Sequence, residues 1–249
     1  MTRAEKISTW LGERAAIAGA QGYVFGLSGG IDSAVVAKLC QLAFPQRVLG
    51  VILPCYSHPQ DEEDARLVAN TFSIPVARVD LEATFDALTE SLTHAVKGMP
   101  THVETIDIKQ QLPEANVKPR LRMASLYFIA NSLNYLVAGT GNKSEITLGY
   151  YTKYGDGGVD VLPIGGLVKS EVRALARELG VPERVIAKPP TAGLWVGQTD
   201  EAEMGFSYDT LELYLKDGAK AVPASVAARI EQLRQVSDHK RELPPIGPI

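Results

Sequence analysis

The sequence predicts an α/β fold in which helices flank a doubly wound parallel sheet. Three observations carry this. Short apolar runs at 23–27, 48–53 and 75–80 have the length and composition of buried strands. Each leads into a segment of helical character, at 31–39, 58–73 and 81–96, and strand–helix alternation at this spacing builds parallel βαβ units. The first junction turns through Gly29 and Gly30, at the carboxyl end of a strand, where such sheets gather their ligands.

In chain order, residues 1–20 read as an amphipathic helix with Ile7, Trp10, Leu11, Arg14 and Ala18 on one stripe. Gly19 and Gly22 punctuate its end. The strand at 48–53 is ended by Pro54, and the next helix opens with Asp61, Glu62, Glu63 and Asp64. Acids suit the positive end of a helix dipole, so the cluster reads as a helix start rather than a metal site. Residues 97–115, with Gly98, Pro100 and Pro113, read as a connector of low order. A long helix then opens at 116–123 and runs to about Tyr135. Pro119 is tolerated near its start, where N–H groups have no helical partner. Arg120 and Arg122 lie two apart and so face different sides, one toward solvent or a structural acid and the other toward an anion.

A fourth strand from Leu136 ends at Gly139-Thr140. A helix over 169–179 starts near Lys169 and is stopped by Gly180 and Pro182, and 206–215 and 222–236 are further helices. Residues 188–204 have little periodicity and are expected to act as a lid. The tail 241–249, with Pro244, Pro245 and Pro248, reads as extended. There is no internal repeat, so 1–249 is expected to be a single domain.

The 249 residues suffice for one large α/β domain or two small ones. A net charge of −4 argues against nonspecific nucleic-acid binding, which wants a basic surface. Two cysteines, Cys40 and Cys55, are too few for a disulfide framework, lack zinc-ligand spacing and read as buried thiols. With no signal-peptide pattern and no membrane-length apolar run, a cytoplasmic protein without a membrane partner is expected.

The most informative stretch is Ser28-Gly29-Gly30-Ile31-Asp32-Ser33. A strand turning through glycines into a helix aims backbone N–H groups and a helix N-terminus at one spot, which binds phosphate. No lysine follows the glycines, so this is no Walker A loop, and Gly26, Gly29 and Gly30 miss the dinucleotide spacing. An acid stands there instead, and an acid beside bound phosphates implies a divalent cation between them. The six residues resemble the pyrophosphate loop of the N-type ATP pyrophosphatases, which bind the β and γ phosphates and cleave ATP at the α phosphate.

A second stretch begins with Gly139-Thr140, again on the ligand side of the sheet. Glu145, a turn later, offers a hard oxygen for magnesium, although alone it would read as a helix-start acid. The run Thr152-Lys153-Tyr154-Gly155-Asp156-Gly157-Gly158-Val159-Asp160 is too glycine-rich for a helix and sets a lysine and two acids on a loop beside the site.

Together these stretches are similar to the ammonia-dependent NAD synthetases. The likeness rests on 28–33, Arg120-Leu121-Arg122-Met123, Gly139-Thr140 with Glu145, 152–158 with Asp160, Lys169, Pro190-Thr191-Ala192 and His239-Lys240, in family order over nearly the whole chain. It implies a Rossmann-like sheet of the adenine nucleotide alpha-hydrolase-like type. It also implies amidation of deamido-NAD by ammonia, with ATP cleaved to AMP and pyrophosphate through an adenylated intermediate. By position, Gly26, Leu27, Ser28, Gly29, Gly30, Ile31, Asp32, Ser33, Thr140, Lys169 and Thr191 would contact ATP. Asp32 and Glu145 would hold Mg2+, and with Lys169 they would form the catalytic set. Arg120, Lys153, Asp160, His239 and Lys240 would contact deamido-NAD, in a homodimer with that site at the interface.

No Ser-His-Asp or Cys-His unit is needed, because a carboxylate is already a nucleophile. An acid near the nicotinate, such as Asp156, is the candidate to take a proton from ammonium. Glutamine-dependent relatives add an N-terminal glutaminase domain. Here the first strand comes early, so ammonia is expected to arrive free or from a partner protein in trans. Gly193 stands where many relatives carry an acid, which puts that acid's role in doubt. Two other readings fit the loop less well. A tRNA-modifying or sulfur-transferring enzyme would call for catalytic cysteines and a basic surface. A non-catalytic nucleotide-binding module would have no reason to keep both Asp32 and Glu145.

Overall fold

The structure is a computed structural model that describes residues 1–100, 111–191, 193 and 199–247. Helix α1 (Arg3–Ala18) is opened by Thr2, whose hydroxyl accepts from the Glu5 N–H while Glu5 bonds back to the Thr2 N–H, a capping box. Strand β1 (Tyr23–Gly26) leads into α2 (Ile31–Ala43), β2 (Val48–Ile52) into α3 (Pro59–Phe72), and β3 (Val76–Arg78) into α4 (Glu82–Lys97). Helix α5 (Gln111–Leu133) precedes β4 (Leu136–Val137) and α6 (Lys143–Leu148). Then come α7 (Lys169–Glu178), α8 (Glu183–Ile186), α9 (Asp200–Met204), α10 (Tyr208–Asp217) and α11 (Ala224–Val236).

The four strands pair in parallel in the order β3-β2-β1-β4. Chain order reverses beside β1, so the crevice of a doubly wound sheet opens at its carboxyl end. β1 serves both faces. Tyr23 and Phe25 pack with α1, α2 and α7 in one core cluster, and Val24 packs with α5 residues in another. The Tyr23 hydroxyl donates to Leu11 O at 2.8 Å, pinning α1 to the sheet. A third cluster joins Leu148 of α6 to α10 and α11 and forms one wall of the crevice.

The helix and strand expectations hold with local corrections. On α1 the buried stripe is Ala4, Leu11 and Ala15, flanked by Ile7 and Trp10, whereas Arg14 and Ala18 face solvent. Helix α5 begins at Gln111, upstream of the expected start, because Pro113 falls in the first turn and costs no hydrogen bond there. Pro119 therefore lies inside the helix and removes one internal donor. Its ring meets the glycine-rich loop instead: a Cβ at Gly155 would lie 3.0 Å from the Pro119 Cβ. Residues 101–110 of the expected connector lie outside the described residues, as do 192 and 194–198 of the expected lid. That lid stretch also contains α9, a short helix its weak periodicity did not reveal. Cys40 and Cys55 are buried, as expected, and burial pushes both thiols up. Among the described residues no helix is long and apolar enough to cross a membrane.

Candidate active site

The phosphate loop is built by its own hydroxyls. Ser33 Oγ donates to Gly30 O at 2.9 Å and accepts from Ser28 N at 3.3 Å, and the Ser28 hydroxyl lies 3.1 Å away. Gly30 caps α2 without any side-chain hydrogen bond, so first-turn N–H groups of a helix start remain for an anion. Gly29 has φ +76°, and a Cβ there would meet Asp61 O at 2.4 Å and Asp64 Cβ at 2.9 Å. Both the left-handed backbone and the press of α3 require glycine. Gly29→Ala is expected to cost about 2–4 kcal/mol of stability, the sum of a strained φ and an overpacked contact. Thermal unfolding checks this, and a change below 1 kcal/mol would mean the loop relaxes freely.

Above the loop sits a charged cluster. Lys169, the first residue of α7, is buried, and its ammonium bonds Asp32 Oδ2 and lies 3.8 Å from Glu145 Oε1. Asn142 donates to the other Asp32 oxygen at 3.2 Å. Glu145 serves two ends at once. Its Oε2 accepts from Asn142 N at 3.1 Å and its N–H donates to Asn142 Oδ1 at 3.1 Å, a capping box for α6, while Oε1 faces Lys169. Burial and the neighbouring Asp32 push the Glu145 carboxyl up to about 8. Burial disfavours the Lys169 charge, but Asp32 and Glu145 outweigh it and hold that ammonium above its ordinary value. Two hard carboxylates converging on one cation form a donor set that fits magnesium. Among the described residues no group of three or more acidic, His or Cys side chains is arranged to hold a metal.

The crevice of about 770 Å³ brings together most of the expected nucleotide residues: the phosphate loop, Thr140, Glu145 and Thr191 line it. The expected dinucleotide residues divide. Lys240 lines the crevice with its ammonium donating to Gly149 O and Tyr151 O, each at 2.7 Å. Arg120, Lys153 and His239 group outside it, with Arg120 Nη2 3.4 Å from Lys153 O and the Lys153 ammonium on His239 O. Asp160 is occupied structurally: Tyr127 OH donates to one oxygen at 3.0 Å and Val137 N to the other at 2.7 Å. Asp156 lines the crevice and accepts from Thr152 N at 2.8 Å.

Sequence reasoning passed over several residues that the fold brings here. Arg122, rather than its neighbour Arg120, enters the crevice, donating to Leu53 O at 3.0 Å and Ser57 Oγ at 3.2 Å. Asp200 on α9 is buried and accepts from Tyr208 OH at 2.8 Å. Asp64, expected as a helix-start acid, is instead a buried acid bonded by Arg184 at 2.6 Å and Lys188 at 2.9 Å. The Asn142-to-Glu145 spacing was a readable signal; Asp200 had none, because its partners come from distant segments.

Comparison with known proteins follows the same lines. The family model for NAD synthase matches residues 3–244. An NH3-dependent NAD+ synthetase of Carboxydothermus hydrogenoformans is 48% identical over 98% of this chain and 96% of its own. A solved NMN synthetase from Francisella tularensis superposes with a TM-score of 0.89 at 35% identity, covering 99% of this chain and 98% of that one. The NH3-dependent NAD synthetase from Campylobacter jejuni superposes at 0.77 with 31% identity, over 99% and 97%.

Proposed function

The chain belongs to the NAD synthase family, and from that premise we propose how its crevice carries out the family reaction. The enzyme amidates deamido-NAD with ammonia at the expense of ATP, giving NAD, AMP and pyrophosphate. The observation that carries the site reading is the Lys169–Asp32–Glu145 cluster directly above the Ser28–Ser33 hydroxyl-braced loop. The loop and the α2 N-terminus take the β and γ phosphates, and Thr140 and Thr191 take the rest of the nucleotide. The nicotinate carboxylate attacks the α phosphate and pyrophosphate departs. Ammonia then attacks the activated carbonyl and AMP leaves. Asp32 and Glu145 would hold Mg2+, which when bound neutralises charge on the phosphates. Lys169 then turns from the carboxylates to the departing pyrophosphate, so the chain supplies positioning and charge.

Arg120, Lys153, Asp160, His239 and Lys240 bind deamido-NAD, and Asp160 also fixes Tyr127 and the β4 backbone. Asp156, at the crevice wall, is the acid that takes a proton from ammonium. The enzyme works as a homodimer with the dinucleotide at its interface. Exposed apolar side chains on α4 (Leu88, Leu92, Val96) and on α5 (Phe128) support that assembly. A single cytoplasmic domain over 1–249, supplied with free ammonia or by a partner protein, completes the reading.

The close superposition on an NMN synthetase favours one second reading, in which the mononucleotide acid is the preferred acceptor. Both acceptors present the same nicotinate carboxylate, so one experiment separates them. Each acid is incubated with Mg-ATP and ammonium, and deamido-NAD also with glutamine. Amide and AMP formed with ammonium, at least tenfold faster as NAD from the dinucleotide than as the mononucleotide amide, and at most weakly with glutamine, is the expected result. Faster turnover of the mononucleotide would move the assignment to the second reading, and AMP release without either amide would overturn both.

A further inference from the structure

Lys188 lines the crevice between α8 and Thr191 and is not among the residues assigned to ATP or deamido-NAD. Its ammonium donates to Asp61 Oδ1 at 2.7 Å and Asp64 Oδ2 at 2.9 Å. Those acids form the turn of α3 that presses on the phosphate loop, since it is Asp61 O and Asp64 Cβ that a side chain at Gly29 would strike. The Asp64 side chain is 3% exposed, and a buried carboxylate holds its charge only against fixed cations. On its other side Pro189 and Pro190 run directly into Thr191, and prolines transmit a fixed backbone direction over such a short span. Asp200 N, donating to Pro190 O at 3.4 Å, holds the same segment from behind. One ammonium thus ties the backing of the phosphate loop to the segment that carries Thr191.

We propose that Lys188 is a positioning residue for ATP, holding the α3 turn behind Gly29 and the Thr191 segment in one register. The inference rests on the ATP site assigned above. Arg184 supplies the control. It bonds the same Asp64, but its side chain is 53% exposed and it contacts neither Asp61 nor the crevice wall among the described residues. Removing Lys188 leaves Asp64 paired with Arg184, so the fold survives the change.

The test is steady-state kinetics on the full chain of Lys188→Met, Lys188→Arg, Arg184→Met and Asp61→Asn, with thermal unfolding of each and ATP titration of the wild type. Lys188→Met is expected to raise KM for Mg-ATP about tenfold while KM for deamido-NAD and kcat stay within threefold. Lys188→Arg brings KM for ATP back to within threefold, and Arg184→Met leaves it there. The double variant Lys188→Met with Asp61→Asn is no worse than Lys188→Met alone, since the contact that Asp61→Asn weakens is already gone. Equal effects of Lys188→Met and Arg184→Met, parallel rises in both KM values, or no change would overturn the proposal. Wild-type protein that fails to bind ATP would instead overturn the ATP site itself.

Discussion

Asp32→Asn is expected to abolish turnover, lowering kcat for AMP release by about 10³-fold or more, which is about 4 kcal/mol of transition-state stabilisation. The change is small in shape. The asparagine carbonyl can still accept from Asn142, whose amide now bonds Asp32 Oδ1, and the backbone of the α2 first turn is untouched. What it removes is one of two charges able to hold a cation against the phosphates. With the Asp32 charge gone, the Glu145 carboxyl that Asp32 had helped push up ionises more readily and serves Lys169 at 3.8 Å. The stability loss therefore stays near 1–2 kcal/mol, below the cost of stranding a buried charge outright. Unfolding curves, AMP release and Mn2+ binding with a non-hydrolysable ATP analogue check the three parts. Activity within tenfold of wild type would remove Asp32 from the metal site. A collapsed fold would make the residue structural.

What the sequence made legible follows from how local each signal is. The strand, glycine turn and helix at 23–39 are contiguous, so the loop and its place at the end of a strand could be read directly. Asn142 and Glu145, whose reciprocal hydrogen bonds are a one-turn device, carried an equally local signal that the sequence reading did not take up. Pairings across the chain were not legible. Lys169 meets Asp32 across 137 positions and Arg184 meets Asp64 across 120, and no local pattern encodes such meetings. Asp64 shows the cost: four acids opening a helix have an ordinary dipole explanation, and only the packed structure shows one of them buried between two cations. Arg120 and Arg122 show a partial success. Two-residue spacing required different faces, yet only the fold could say that Arg122 turns inward to Leu53 O. Proline statistics likewise placed Pro119 near a helix start, and the helix extended upstream because Pro113 was equally compatible with a first turn.

Glu145→Gln is expected to separate stability from activity, and to do so in a pH-dependent way. The carboxyl is lifted from its ordinary value of 4.5 to about 8 by burial and by Asp32. Between those values the folded protein holds a proton that the unfolded chain has released, so the wild type without metal loses stability as pH rises through that window. Glutamine does not titrate, and its side-chain oxygen can still accept from Asn142 N to keep the α6 capping box. The variant should match the wild type near pH 5 and exceed it by about 1–3 kcal/mol at pH 8, after allowing for the lost attraction to Lys169. Saturating Mg-ATP should flatten the wild-type slope, because a cation on Glu145 displaces the proton, and should leave the variant's profile unchanged. Activity should fall by about 10²-fold or more at every pH, since a neutral amide is a weak ligand beside phosphates. Denaturant unfolding at pH 5, 6, 7 and 8, with and without Mg-ATP, measures each claim. A variant less stable than wild type at pH 8 would show that the Lys169 contact outweighs the burial cost. Full activity would leave Asp32 as the only protein carboxylate on the metal.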